Sequence, residues 1–310
     1  MKLDFIAIVM LIILSIVFNS IVVIIFLTNW SKLYIRDIIV LSLAIADLAQ
    51  SLIGYPYLLT DYSNPPEQPA TPQCIVSAFI VTITAVVGIA HIVALSLKYY
   101  MALVFPFWSD KLEKTKYGSF MFLVPAWCYG LTWGIFPLFG WSKYGKETET
   151  GYRCGLNLRE HSVNVLSYNI CLSLAAFVFP VLISIFCYFS AAKIFRTISK
   201  SAAESNGQNS KMQKETKKKI QAMYIVNGIM LFSFLLAWTP YAILVVMTMF
   251  QYTPNQTYFD IAAILAKTSS FYNPVIYAMV YKDFRDYSKL TFQKLISSRR
   301  RVEIEEVATV

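Results

Sequence analysis

The chain has 310 residues, 57% of them hydrophobic and only 15% charged, with a mean hydropathy of +0.54. That balance excludes an ordinary soluble domain. The net charge of +9 would suit a nucleic-acid partner, but the placement of the basic residues along the chain makes one unnecessary.

Apolar stretches fall near residues 5–28, 37–60, 75–97, 119–140, 164–192, 222–250 and 258–281. Each is long enough to cross a bilayer, which takes about 20 helical residues, so the predicted fold is an all-α membrane protein, a seven-transmembrane-helix bundle. The first stretch is longer than the apolar region of a signal peptide and no small-residue cleavage site follows it, so it is expected to stay as the first span. Residues 201–219, between the fifth and sixth spans, are polar and basic and predict a mobile cytoplasmic loop running into the foot of the sixth. After the seventh span, Phe284, Tyr287, Thr291 and Leu295 share one helical face, with Lys282, Arg285, Lys289 and Lys294 elsewhere. This predicts a C-terminal amphipathic interfacial helix. The expected division is therefore 1–282 for the bundle and 283–310 for the interfacial helix and cytoplasmic tail.

Basic residues set the orientation, because cytoplasmic loops retain Lys and Arg. The loops after the first, third and fifth spans, with the tail, hold Lys32, Arg36, Lys98, Lys111, Lys114, Lys116, Lys193, Arg196, Lys200, Lys211, Lys214, Lys217 to Lys219, Lys282, Arg285, Lys289, Lys294 and Arg299 to Arg301. The other side holds only Lys2, Lys143, Lys146, Arg153 and Arg159. The N-terminus is thus expected outside and the C-terminus inside, with the basic face favouring anionic lipid. Cys128, Cys171 and Cys187 lie within spans; Cys74 and Cys154 are the only two outside and either bridge or stand as unrelated thiols. Asn255-Gln256-Thr257 is a glycosylation sequon in the last outer loop. With only His91 and His161, no histidine-rich metal site is expected, and no phosphate loop or hydrolase elbow is present.

Several short motifs fall in one order: Asn19 in the first span, Asp47 in "LSLAIADLAQ", Trp238-Thr239-Pro240 in the sixth and Asn273-Pro274-x-x-Tyr277 in the seventh, with Trp141 and Pro180. Together they resemble the rhodopsin-like class of seven-helix receptors. The resemblance implies that 1–282 is a receptor domain, that Cys74 and Cys154 are bridged, and that Asn19 and Asn273 lie beside Asp47. An acid at mid-membrane faces the bundle interior. Here it either sits in a static polar knot or belongs to a hinge that rearranges on activation.

Within that class, Lys267 stands six residues before Asn273, and "AKTSSFYNPVIY" looks like the seventh helix of an opsin. The resemblance implies that Lys267 carries retinal, 11-cis or all-trans, as a Schiff base. An aldehyde condenses with an unprotonated amine, and an apolar site favours that uncharged form. A structural lysine that pairs with an acid or snorkels to the interface is the alternative. Lys267 is ten residues from Tyr277 and about two helical turns from Asp260, which makes snorkelling difficult. The same resemblance places Trp238, Tyr241, Phe177, Thr82, Ala85 and Val86 against the chromophore. His91, deeper in the third span, is expected to be a hydrogen-bonded core residue.

A protonated Schiff base in a low-dielectric pocket needs an anion. Where opsins keep one on the third helix, this chain has Ser77, which cannot ionise. Counting from Trp141 in "GWSKYGKETETGYRCG" puts the family's loop acid on Glu147, ahead of Glu149 and Asp260. At the inner end of the third span, where the class has an acid-Arg-Tyr triplet, stands Lys98-Tyr99-Tyr100. Its usual partner, an acid twenty residues before the sixth-span proline, is replaced by Ile220. Tyr188 and Tyr277, expected to stabilise the open inner face, remain.

The implied function is a light-sensing receptor in the plasma membrane that couples to a heterotrimeric G protein. A retinal photoisomerase, which needs Lys267 but no Arg at position 99, and a receptor for a non-photic ligand are the alternatives.

Overall fold

A computed structural model describes residues 3–56, 70–146, 154–158, 160–204, 211–252 and 254–308, with the side chains of most of them. Helix α1 spans Leu3–Thr28 and α2 Ile35–Ala49, begun by a reciprocal cap in which the Tyr34 N–H donates to the Asp37 carboxylate. Helix α3 spans Pro72–Val104; Thr71 accepts from the Cys74 N–H, and Pro72 costs nothing in the first turn because its N–H would be orphaned there. A short helix, α4, covers Pro106–Glu113, and α5 covers Phe120–Ile135. Then come α6 at Val163–Ser173, α7 at Phe179–Glu204 and α8 at Lys211–Met249. Helices α9 (Gln256–Lys267), α10 (Ser269–Val280) and α11 (Lys282–Ala308) complete the chain.

Among the described residues, six helical segments are long and apolar enough to cross a membrane. The seventh crossing is α9 followed by α10, 12 residues each, so neither half spans alone. Local chemistry explains the break at Thr268. The hydroxyls of Thr268, Ser269 and Ser270 donate to the carbonyls of Leu265, Ala266 and Lys267, competing with the backbone ladder. Pro274 then leaves the Ser270 carbonyl without its N–H partner. Helix α1 supplies replacements: Asn19 Nδ2 donates to that carbonyl at 2.7 Å and Ser15 Oγ at 3.0 Å. A polar residue in an otherwise apolar span thus repairs a proline gap in another helix.

Two five-residue π turns, Gln50–Gly54 after α2 and Leu174–Val178 between α6 and α7, interrupt the other spans. Such turns leave carbonyls exposed, and both are used: Ser77 Oγ donates to the Gly54 carbonyl at 2.6 Å, and the Tyr129 hydroxyl donates to the Ala175 carbonyl at 2.9 Å.

A hairpin of β1 (Tyr144–Lys146) and β2 (Cys154–Leu156) pairs Tyr144 with Leu156 and Lys146 with Cys154. Cys154 is bonded to Cys74, with Cα atoms 5.3 Å apart, so the hairpin is fastened to the start of α3. This is the disulfide end of the bundle; the opposite, basic end carries α4 and α11. The largest core cluster, including Phe26, Ile39, Leu43, Ile89, Leu95, Met230 and Tyr277, fills the interior toward the basic end. Large apolar side chains such as Ile13, Ile24, Phe186, Phe232 and Leu236 face outward. Such a surface suits lipid and not water, and the protein is a multi-pass membrane protein.

Several expectations change. Helix α7 reaches Glu204 and α8 starts at Lys211, so much of 201–219 is helical and not loop. Neither α4 nor the hairpin was expected. On α11, Phe284, Tyr287 and Thr291 are buried, while Leu295, predicted on the same face, is 61% exposed. Arg36 and Lys98, expected in basic loops, lie inside helices with only 5% and 8% exposure.

Candidate functional site

A cavity of about 490 Å³, within the range of small-ligand sites, opens between α3, α6, α8 and α9 toward the disulfide end. Thr82, Ala85 and Val86 line it from α3, Phe177 from the π turn after α6, Trp238 and Tyr241 from α8, and Lys267 from α9. All seven residues that sequence reasoning assigned to one pocket therefore share one cavity. Its aromatic wall is continuous: Phe177 and Phe234 rings lie 6.2 Å apart, Phe234 and Trp238 stack at 5.8 Å, and Tyr241 meets Trp238 edge-on at 6.2 Å. The Thr82 hydroxyl donates to its own helix, at the Ala78 carbonyl, so it adds little polarity to the wall.

Lys267 is 8% exposed and lies at the last position of α9, immediately before the break. Its Nζ lies 5.8 Å from the ring centroid of Tyr55, within cation–π range. Tyr55 is fully buried; its hydroxyl accepts from Gln50 Nε2 at 2.5 Å and lies 3.5 Å from the Lys267 carbonyl. Thr84 Oγ1 in turn donates to Gln50 Oε1 at 3.1 Å. A neutral polar chain thus joins α3, the π turn and α9 at the lysine. Sequence reasoning missed Tyr55 and Gln50. The π turn between them shifts the helical register, and no residue pattern announced it.

Ser77 is completely buried, but its hydroxyl is committed to Gly54 and it does not line the cavity. Nor does Asp260, whose carboxylate accepts from Gln256 Nε2 at 3.0 Å. Glu147 and Glu149 lie outside the described residues. In the nearby loop, Lys143 pairs with Glu160 at 2.5 Å, and that hydrogen bond holds the exposed Glu160 carboxyl below the usual carboxylate range.

Deeper in the bundle, Asn273 Nδ2 reaches Asp47 Oδ2 at 3.5 Å. Asn19 does not join them as expected; its amide goes to Ser15 and Ser270. His91 is a core residue: Nδ1 meets the Val87 carbonyl at 2.7 Å, and Nε2 meets Ser42 Oγ, which also accepts from Trp127 Nε1.

At the basic end, Tyr188 stacks on Tyr224 with centroids 4.0 Å apart and packs on Gly228, where a Cβ would come within 2.8 Å of the ring. Tyr277 is buried, its ring 6.3 Å from Phe284. Tyr99 packs against the main core and lies within electrostatic reach of Arg36 and Asp37. Lys98 Nζ pairs with Glu113 at 2.7 Å and donates to Ser109 Oγ at 2.8 Å. The side chain of Ile220 lies outside the described ones. Helices α3 and α8 are joined here by a neutral bond, Asn227 Nδ2 donating to Ser96 Oγ at 2.9 Å.

Seven crossings, a disulfide from the third to the loop before the fifth, and a lysine-lined cavity define a class of receptor. Residues 18–277 match the model of the "7 transmembrane receptor (rhodopsin family)", and the chain belongs to that family. Among its members, the chain is similar to opsins. It is 28% identical over 278 residues to "Rhodopsin, G0-coupled" of Mizuhopecten yessoensis, covering 88% of this chain and 68% of that one. It is 26% identical over 275 residues to "Visual pigment-like receptor peropsin" of Mus musculus, covering 87% and 78%. A crystal structure of squid rhodopsin has the same fold, with a TM-score of 0.83 at 23% identity over 95% of this chain and 86% of that one.

Proposed function

We propose that this protein is a light-sensing receptor that holds retinal on Lys267 and signals to a heterotrimeric G protein, with the disulfide end extracellular and the basic end cytoplasmic in the plasma membrane. The observation that carries this reading is a buried amine lining an aromatic cavity. The cavity fits the group: its walls are mainly apolar, and the lysine lines it beside the Tyr55 ring. When bound, retinal supplies visible absorption and a light-driven change of shape. The chain supplies the rest. Lys267 offers the attachment atom, Tyr55 faces the cationic form with its ring, and Gln50 with Thr84 fixes Tyr55. Trp238 and Phe177 close the walls against water. Glu147 supplies the balancing carboxylate from the hairpin loop, because Ser77 cannot and is turned toward Gly54.

From the pocket, α8 and α10 lead to the basic end. Trp238 stands two residues before Pro240, and Lys267 stands next to the Thr268 break above Asn273-Pro274-x-x-Tyr277. Both helices are therefore weakened next to the ligand. A photoisomerase is the second reading, favoured by Tyr99 in place of the class's Arg.

Lys267→Ala tests the attachment. The variant is expected to fold and to form no visible pigment with added retinal. Borohydride reduction and peptide mapping of the parent should find retinal on Lys267; retinal on another lysine rejects the proposal. Extraction of the chromophore before and after illumination, alongside nucleotide exchange on G proteins, separates receptor from isomerase. Release of an isomerised retinal without exchange favours the isomerase. Absence of any visible band favours a non-photic ligand.

A further inference from the structure

The family's usual restraint at the basic end is absent from Lys98-Tyr99-Tyr100, yet this end is rich in buried charge. Two clusters meet at the start of α2. In the first, Glu113 of α4 takes Lys98 Nζ on one oxygen at 2.7 Å, while its other oxygen accepts the Ile35 N–H at 2.7 Å. One carboxylate thus ties α3, α4 and the first turn of α2. In the second, Arg36 pairs with its neighbour Asp37 at 3.2 Å and with Asp283 of α11. Its guanidinium also lies 4.7 Å from the Tyr281 ring centroid and 5.1 Å from that of Tyr34. Asp37, fully buried, accepts from the Tyr281 hydroxyl and from the Tyr34 N–H, and the Tyr287 hydroxyl lies 3.4 Å from it.

Buried pairs add little net stability relative to apolar substitutes, but removing one partner is costly because the other charge is stranded. Such pairs therefore suit a restraint with two discrete states. The position matters as well: Tyr281 is the cap of α10, four residues after Tyr277 and seven after Pro274. Tyr281 and the adjoining Asp283 thus join the segment after Pro274 to Asp37 and Arg36, so outward movement of that segment relative to α2 stretches these contacts.

We propose that the start of α2 is the inhibitory lock of this receptor, with Lys98–Glu113 and Arg36–Asp283 holding α4 and α11 closed in place of the missing acid-Arg-Tyr triplet. The base at the end of α3 finds its acid in the helix that follows, Glu113 of α4, and not at the foot of the sixth span. The consequence for coupling rests on the proposed signalling function, but the opening itself is readable without any partner.

The test uses the full chain with Cys128, Cys171 and Cys187 replaced by Ala, carrying nitroxide labels at Phe107→Cys on α4 and Phe292→Cys on α11, both exposed. Electron–electron distances are measured in the dark. The parent should give one dominant distance. Glu113→Gln with Asp283→Asn keeps the hydrogen-bond shapes but removes both charges, and should raise a second, longer population about tenfold, within the range of a conformational coupling. Asp286→Asn, on the same helix but outside the cluster, should leave the parent distribution unchanged. Should the double variant fail to fold, Arg36→Lys keeps the charge, loses the guanidinium fork and should give an intermediate population. A double or Arg36 variant that superimposes on the parent overturns the lock, as does an Asp286→Asn effect of equal size. A distance shift without nucleotide exchange supports the lock and counts against the signalling function.

Discussion

The two ends of the molecule are built on different chemistry. At the disulfide end, a covalent bond, a short hairpin and neutral hydrogen bonds enclose an apolar cavity with one buried amine. At the basic end, five buried or half-buried charges, Arg36, Asp37, Lys98, Glu113 and Asp283, are knitted around one helix start. The seven residues that the opsin resemblance pointed to line one cavity, while Lys98-Tyr99-Tyr100 at the basic end departs from the class's triplet. Binding the proposed chromophore demands particular atoms at particular places, the Lys267 amine above all. Holding helices together demands only complementary charge, and any neighbouring elements can supply it. Asp283 and Glu113 therefore do a task that the class gives to other residues.

The largest way to break this contrast is at the covalent bond. Cys154→Ser opens a link across 80 residues, which in the chain-entropy account contributes about 4–5 kcal/mol. Thermal unfolding in detergent should show a loss of that order, with the basic-end distances unaffected in whatever fraction stays folded. If stability is unchanged, the hairpin is held by its own contacts.

Next in size is the charge proposed for the pocket. Glu147→Gln should move most of the pigment to an ultraviolet-absorbing form at neutral pH, about a tenfold change in population for a group in contact. Glu149→Gln and Asp260→Asn should do less. A pH titration of the visible band in which the Glu147 variant matches the parent removes Glu147 from the role.

A smaller effect is expected at Tyr99. Arginine there restores a forked donor to the end of α3, but it also places a second guanidinium near Arg36. Tyr99→Arg should therefore raise exchange in the dark as well as in light, by about fivefold. A rise confined to the illuminated protein would mean that donor chemistry and not lock repulsion limits coupling.

The smallest effect belongs to the disulfide end's surface. Glu160 is exposed and its carboxyl is held low chiefly by Lys143. A depressed folded-state pKa adds stability above the ordinary carboxylate range and loses it as pH falls through the folded value. Screening at an exposed site makes that contribution slight. Glu160→Gln should leave the melting temperature at neutral pH within error, and a clear drop would mark the pair as structural.

The sequence by itself determined the seven crossings, because hydropathy and length are local properties. The resemblance to opsins also marked part of the cavity lining, Lys267, Trp238, Tyr241, Phe177, Thr82, Ala85 and Val86. Only the tertiary structure decided the rest. The π turns at Gln50–Gly54 and Leu174–Val178 have no residue signature, and one of them brings Tyr55 to the lysine. Asn19 was legible as a buried polar group, but its partner was not: the Ser270 carbonyl became available through Pro274, a residue 255 positions away. Lys98 and Arg36 read as loop cations because charge in a sequence is counted before burial is known. Glu113 stands 15 residues from Lys98 and Asp283 stands 247 from Arg36, whose other acid is its neighbour Asp37, and the two distant pairings are set by how helices pack.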